Sequence, residues 1–147
     1  MNADDTGTAK MSAMKTATSI GDRVFARGHA QPAYRARLAS SGIDVRAAQT
    51  LRFIVFNLEL NEGLEQSYIT CRDADPFDEI CDHLLVEYLR TGEIVGTYRM
   101  QTGRTARANR GYYSEQEFDL GPLESMRDSI VELGRACVHI QHRNLTV

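Results

Sequence analysis

Glu132 and Arg135 stand three residues apart inside Ile130-Val131-Glu132-Leu133-Gly134-Arg135-Ala136-Cys137-Val138-His139, a run that otherwise reads as a buried strand. Side chains alternate along a strand, so an acid and a base three apart point to opposite faces. To share one site they need an extra residue in the ladder between them, and the spacing predicts that bulge at Gly134 or Arg135. Glycine suits such a place because it weakens regular pairing and tolerates unusual dihedrals. A polar stretch follows, Gln141-His142-Arg143-Asn144, and then Leu145-Thr146-Val147.

The 147 residues suffice for one domain with a real core. A net charge of −3 gives no general pull toward nucleic acid or an anionic membrane. Cys71, Cys81 and Cys137 are odd in number and lack CxxC spacing, so neither a disulfide framework nor a zinc site is expected. His83, His139 and His142 share no ligand spacing, and no metal is expected. With no disulfide framework in the cysteines, a reducing cytoplasm is the expected location. No apolar run approaches the roughly 20 residues of a spanning helix, so contact with the inner face of the membrane is expected only from the surface. Residues 1–33, rich in Ala, Thr, Asp, Ser and Gly, are expected to be a flexible leader, and 34–147 the folded domain.

Within that domain Tyr34-Arg35-Ala36-Arg37-Leu38-Ala39 alternates as a half-wet strand. Ser41 and Asp44 make a capping-box-like start for a helix over residues 44–60. Its stripe of Val45, Ala48, Leu51, Val55 and Leu58 should pack, with Arg46, Gln49, Arg52 and Glu59 largely elsewhere. An acidic loop, 72–79, contains Asp75-Pro76, in which proline holds Asp75 away from helix. Residues 83–89 and 93–100, joined by Arg90-Thr91-Gly92, read as an antiparallel hairpin. A polar excursion over 101–111 leads to Tyr112-Tyr113-Ser114-Glu115-Gln116-Glu117-Phe118, where Ser114 and Glu117 suggest a second capping box and a short helix. The closing strand should begin near Ser129.

Five segments in this order carry a resemblance: Leu51-Arg52-Phe53-Ile54-Val55-Phe56; Asp75-Pro76-Phe77-Asp78-Glu79-Ile80-Cys81-Asp82-His83-Leu84-Leu85-Val86; Val95-Gly96-Thr97-Tyr98-Arg99-Met100; residues 112–120; and Glu132-Leu133-Gly134-Arg135-Ala136-Cys137-Val138-His139. Together they resemble the hemolysin-like acyltransferases. These include the ornithine N-acyltransferases and are similar in fold to the acyl-homoserine-lactone synthases and the GNAT superfamily. The resemblance implies an α/β, mostly antiparallel GNAT-like sheet with flanking helices. It implies transfer of a 3-hydroxyacyl group from the phosphopantetheine thioester of acyl carrier protein to the α-amine of ornithine, with no permanently bound cofactor. Such an amine must lose a proton before it attacks a thioester. Glu132 is the expected proton acceptor, the alternative being a solvated edge charge. Gly134 and Arg135 complete the expected catalytic set, with backbone amides holding the oxyanion where the strand is distorted.

Arg52, Asp75, Asp78 and Arg99 match positions that, with Arg135, form a charged cluster in the related lactone synthases, and they are the expected amine-binding residues. Arg99 and Arg135 are expected to pair with Asp75 and Asp78, and Asp78 to matter more than Asp73. A purely structural ion-pair network is the competing reading. Gln141, His142, Arg143 and Asn144 occupy the beginning of the acyl-donor loop of such folds. Only three residues follow them, so the expectation is the N-terminal half of the fold, either truncated or completed by a second chain. Self-association through the exposed strand edge is allowed. Cys137 reads as a small core residue. Arg104, Arg107 and Arg110 read either as a solvated face or as a contact for carrier protein or phospholipid. A lactone-type or other amine N-acyltransferase, or an inactive interaction module, remains the alternative to ornithine acylation.

Overall fold

The computed structural model describes residues 33–143; the expected leader and Asn144 lie outside the described residues, apart from Ala33. Four strands, β1 (Tyr34–Leu38), β2 (Asp82–Tyr88), β3 (Glu93–Thr102) and β4 (Val131–Val138), form one sheet in the order β1-β2-β3-β4. Every neighbour is antiparallel. The fold is therefore the mostly antiparallel α/β arrangement expected from the sequence, and the hairpin β2–β3 lies where its β-rich runs and Gly92 put it. Gly92 has φ +76, a conformation that needs glycine, and the turn takes in Leu89 as well.

Helix α1 (Gly42–Arg52) starts at Ser41, whose hydroxyl accepts from the Asp44 amide at 3.3 Å. It continues as a π-helical segment, Phe53–Glu59, rather than as regular α-helix to residue 60. The wider turn changes which side chains face inward. Phe53, Val55 and Asn57 are buried, whereas Leu58, expected in the packed stripe, is 60% exposed. Gln49 and Arg52, expected on the wet side, are buried instead, because buried acceptors on the acidic loop meet them. Leu51, Val55 and Cys137 form the apolar centre, with Phe56 and Ile94 packed against it. Burying each large aliphatic side chain there contributes about 1.5–3 kcal/mol.

A second helix, α2 (Ser67–Thr70), follows the π-helical segment, and the excursion over 101–111 is ordered too. β3 runs on to Thr102, whose hydroxyl caps a helix α3 (Gly103–Ala108) by accepting from the Thr105 amide at 3.2 Å. Only glycine fits at 103, where a Cβ would sit 2.0 Å from the Arg127 carbonyl oxygen. The short 3-10 helix Tyr113–Gln116 is capped at Tyr112, two residues before the predicted Ser114 cap. Glu115 accepts from the Tyr112 amide at 2.7 Å, and Ser114 is turned to a different partner. Further 3-10 turns at Pro76–Glu79, Gly121–Ser129 and Ile140–His142 complete the described residues.

The sheet separates two environments. Register places Arg99, Gln101, Glu132 and Gly134 on the face that carries the buried polar groups. Leu84, Tyr98, Met100 and Leu133 lie on the other face and are half-buried or exposed.

Candidate functional site

The predicted bulge is present. Thr97 pairs with Cys137 and Arg99 with Gly134, so Arg135 and Ala136 together oppose Tyr98. Arg135 has φ +49, a left-handed conformation that is unfavourable for a residue with a Cβ. It is thus Arg135, not Gly134, that takes the strained position, and a Cβ on Gly134 would meet nothing within 4 Å. The consequence is the one the spacing required: Glu132 and Arg135 line the same cavity, about 220 Å³ in volume, together with Cys81, Gln101, Tyr113 and Ser114.

Glu132 is not a solvated edge charge. Its Oε1 accepts from the Ser114 amide at 2.8 Å and the Ser114 hydroxyl at 2.5 Å. Its Oε2 accepts from the Tyr113 amide at 2.8 Å and the Gln101 side-chain amide at 3.1 Å. The carboxylate therefore pins the start of the 3-10 helix to β4. Sequence reasoning missed Ser114 and Gln101 as neighbours of Glu132, since their pairing is decided by how the segment after α3 folds back.

Beneath the cavity lies the charged cluster. Asp75 has extended backbone, as the following proline dictates, and its Oδ1 accepts from the Phe77 amide at 2.8 Å and from Arg99 Nη1 at 2.6 Å. This turn aims Asp78 inward. Asp78 Oδ2 accepts from Arg52 Nη2 at 2.6 Å and Gln49 Nε2 at 2.9 Å, while Oδ1 accepts from Arg99 Nη1 at 3.0 Å. Burial pushes the Asp78 carboxyl up, but the Arg52 guanidinium, Gln49 and Arg99 outweigh it and hold the group below the usual carboxylate range. Burial likewise pulls Arg99 down, and Asp75 and Asp78 reverse that. The His83 ring sits 3.1 Å from the Asp78 carbonyl oxygen, also buried.

Two expectations about this cluster are corrected. Arg135 does not pair with Asp75 or Asp78; its Nε lies 3.6 Å from Asp73 Oδ1, because the left-handed backbone directs the side chain toward the end of α1. Asp73 is no peripheral acid. It is fully buried, and it accepts from Arg52 Nε at 2.9 Å, with the Asp73 carbonyl taking Arg52 Nη2 at 2.5 Å. The ranking of Asp78 over Asp73 therefore has no structural basis. Arg52 is also fully buried and reaches the cavity only through these carboxylates. Tyr113 links cluster and cavity: its ring lies 5.3 Å from the Arg99 guanidinium and 5.9 Å from that of Arg135.

Of the donor-loop residues, the described Gln141, His142 and Arg143 are not in this cavity. Gln141 and His142 line a separate one of about 560 Å³ with Thr50 and Ile54, and His142 Nδ1 lies 3.1 Å from the Tyr34 hydroxyl. Arg143 pairs with Glu59, donates from Nε to the Val138 carbonyl at 2.8 Å, and borders an apolar groove of about 440 Å³ with Phe56, Leu60 and Tyr98. Burial pushes the Cys81 thiol up to about 11 and the Cys137 thiol up to about 12, which suits core residues rather than nucleophiles. Arg104, Arg107 and Arg110 are exposed on and after α3, and Arg107 pairs with Asp128. No helix among the described residues is long and apolar enough to cross a membrane.

An antiparallel sheet covered by a long helix, with a bulge in the strand that faces the polar site, defines a GNAT-type α/β domain. The acetyltransferase (GNAT) domain model matches residues 51–147, and the chain belongs to that family. Its relatives include the L-ornithine N(alpha)-acyltransferase of Brucella abortus, 41% identical over 116 residues, which make up 74% of this chain and 41% of the relative. The enzyme of the same name from Agrobacterium fabrum is 40% identical over 115 residues, 73% of this chain and 39% of the relative. That from Rhodobacter capsulatus is 38% identical over 117 residues, 75% of this chain and 45% of the relative. The chain thus spans about two fifths of the length of these curated relatives. Among solved structures, the AHL synthase LasI superposes with a TM-score of 0.52 at 16% identity, covering 78% of this chain and 57% of LasI, a likeness of fold alone.

Proposed function

We propose that this chain carries the amine-activating half of an N-acyltransferase that moves a fatty acyl group from acyl carrier protein to the α-amine of ornithine, giving a lyso-ornithine lipid. The observation that carries the proposal is the cavity into which the Arg135 bulge turns both Glu132 and a guanidinium. The ornithine acyltransferases among its relatives support the choice of amine. Glu132 receives the proton that the amine must lose. Arg135, whose side chain is 18% exposed, presents a fork that suits the α-carboxylate of an amino acid. Asp75, Asp78, Arg52 and Arg99 hold the cavity floor in place. The amine nitrogen attacks the thioester carbonyl, the C–S bond breaks, and the pantetheine thiolate leaves with a proton. β4 is the last strand of the sheet among the described residues, so its outer edge offers backbone amides to the oxyanion. The apolar groove beside Phe56, Leu60 and Tyr98 suits a fatty chain, and Gln141, His142 and Arg143 form the side from which the donor arm approaches. Such a reaction belongs in the cytoplasm, where acyl carrier protein is found, with the lipid product released at the membrane surface.

The test supplies the protein with a 3-hydroxyacyl thioester of acyl carrier protein and ornithine and detects the amide by mass spectrometry. Glu132→Gln should lower turnover by about 10²–10⁴-fold. Acylation of other amines but not ornithine, or full turnover by the Gln variant, would overturn the proposal.

A further inference from the structure

We infer that the Ser114 hydroxyl is the group through which Glu132 takes the amine's proton, a relay between substrate nitrogen and carboxylate; this rests on the acyl-transfer reading above. A carboxylate offers about four lone-pair positions. Four donors fill them on Glu132: the Tyr113 and Ser114 amides, the Gln101 side-chain amide and the Ser114 hydroxyl. The two backbone amides are fixed by the 3-10 turn, and the Gln101 amide is tied to the Gly111 carbonyl at 2.9 Å as well. Of the four, the hydroxyl alone can accept a hydrogen bond while it donates one. Ser114 is half-buried and lines the cavity beside Glu132, Gly134 and Arg135. An amine entering that cavity meets the free lone pairs of Ser114 Oγ, with a carboxylate 2.5 Å behind them.

The step balances. As the nitrogen bonds to the thioester carbonyl carbon, its proton passes to Ser114 Oγ and the Ser114 hydroxyl proton passes to Glu132 Oε1. The C–S bonding pair leaves with sulfur, and Glu132 returns its proton through the same hydroxyl to the thiolate. Thioester and amine become amide and thiol, with Ser114 and Glu132 restored. A Ser114 that merely held Glu132 in place would act mainly through its backbone amide, which Ser114→Ala retains.

The experiment compares wild type, Ser114→Ala and Ser114→Thr in acyl transfer to ornithine, with kcat followed across H₂O and D₂O mixtures. The relay predicts that Ala lowers kcat by about a hundredfold with KM within twofold, that Thr restores most of it, and that the wild-type isotope plot is curved where that of Ala is linear. A second measurement needs no turnover. The Ser114 hydroxyl proton, held between two oxygens at 2.5 Å, should give a slowly exchanging downfield NMR signal that Ser114→Ala removes and that ornithine shifts. Wild-type transfer with an unimpaired Ala variant, or with Ala and Thr equally slow, would overturn the relay and leave the acyl-transfer reading standing. A shifted signal without transfer would sink that reading and the relay with it, leaving only ornithine bound beside Ser114. Neither transfer nor shift would remove both.

Discussion

Arg52→Leu removes the one guanidinium that holds both Asp73 and Asp78, at 2.9 Å and 2.6 Å, in a place where its own side chain is fully buried. Asp78 keeps Arg99 and Gln49, but Asp73 is left with Arg135 at 3.6 Å. Stranding one partner of a buried pair costs roughly 3–5 kcal/mol, against a total stability of about 5–15 kcal/mol. At about 4 °C per kcal/mol for a domain of this size, the thermal midpoint should fall by roughly 12–20 °C. The pH dependence sharpens the test. The Asp78 pKa is depressed in the folded state, so its contribution is present above the unfolded carboxylate pKa and is lost as pH falls through the folded value. In the Leu variant the largest of the groups that lower the Asp78 pKa is gone, so less of that contribution remains to be lost in acid. Denaturation followed at about pH 7 and about pH 4 should therefore show the gap between wild type and variant narrowing in acid. Arg35→Leu, which breaks the exposed pair with Glu87, is the control and should barely move the midpoint. A Leu variant within about 1 kcal/mol of wild type at neutral pH, or a gap that widens in acid, would refute the view of this cluster as a mutually dependent buried network.

Gly103→Ala should lower the thermal midpoint by several degrees, because its Cβ would collide with the Arg127 carbonyl and lie 2.6 Å from the Tyr112 hydroxyl oxygen. Gly134→Ala, facing open space, should change stability by no more than about 0.5 kcal/mol, and equal losses at the two sites would contradict the packing. Iodoacetamide at about pH 8 should label exposed Cys71 in the native protein while Cys81 and Cys137 stay unmodified, as read by peptide mass spectrometry.

Local signals told most about the frame. Ser41 as a cap, Asp75-Pro76 as a turn, and β-rich runs flanking Gly92 act within a few residues, and the structure follows each. The bulge was legible for a different reason, since an acid and a base three apart on a strand cannot share a site otherwise. What escaped were pairings between distant segments. Gln49 and Arg52 look like the wet side of a helix until Asp73 and Asp78, more than 20 residues on, are folded beneath them. Glu132 reads as a candidate free charge in the sequence because Tyr113 and Ser114 reach it only after α3 has turned the chain back. The π-helical turn at Phe53–Glu59 leaves no periodic trace, since its apolar residues also satisfy an α-helical stripe.

That π-helical turn bears on how the domain can tolerate changes in length. A segment bonded i to i+5 holds more residues per turn than an α-helix, so Phe53–Glu59 carries chain that regular geometry would not need. Losing one residue there would let it tighten toward α-helix while Arg52, set by the turns before it, stayed aimed at its carboxylates. The same loss within α1 would rotate Arg52 by about 100° and take the guanidinium out of the cluster. The helix is thus elastic on one side of Arg52 and rigid on the other, so length variation would be accommodated after that residue and not before it.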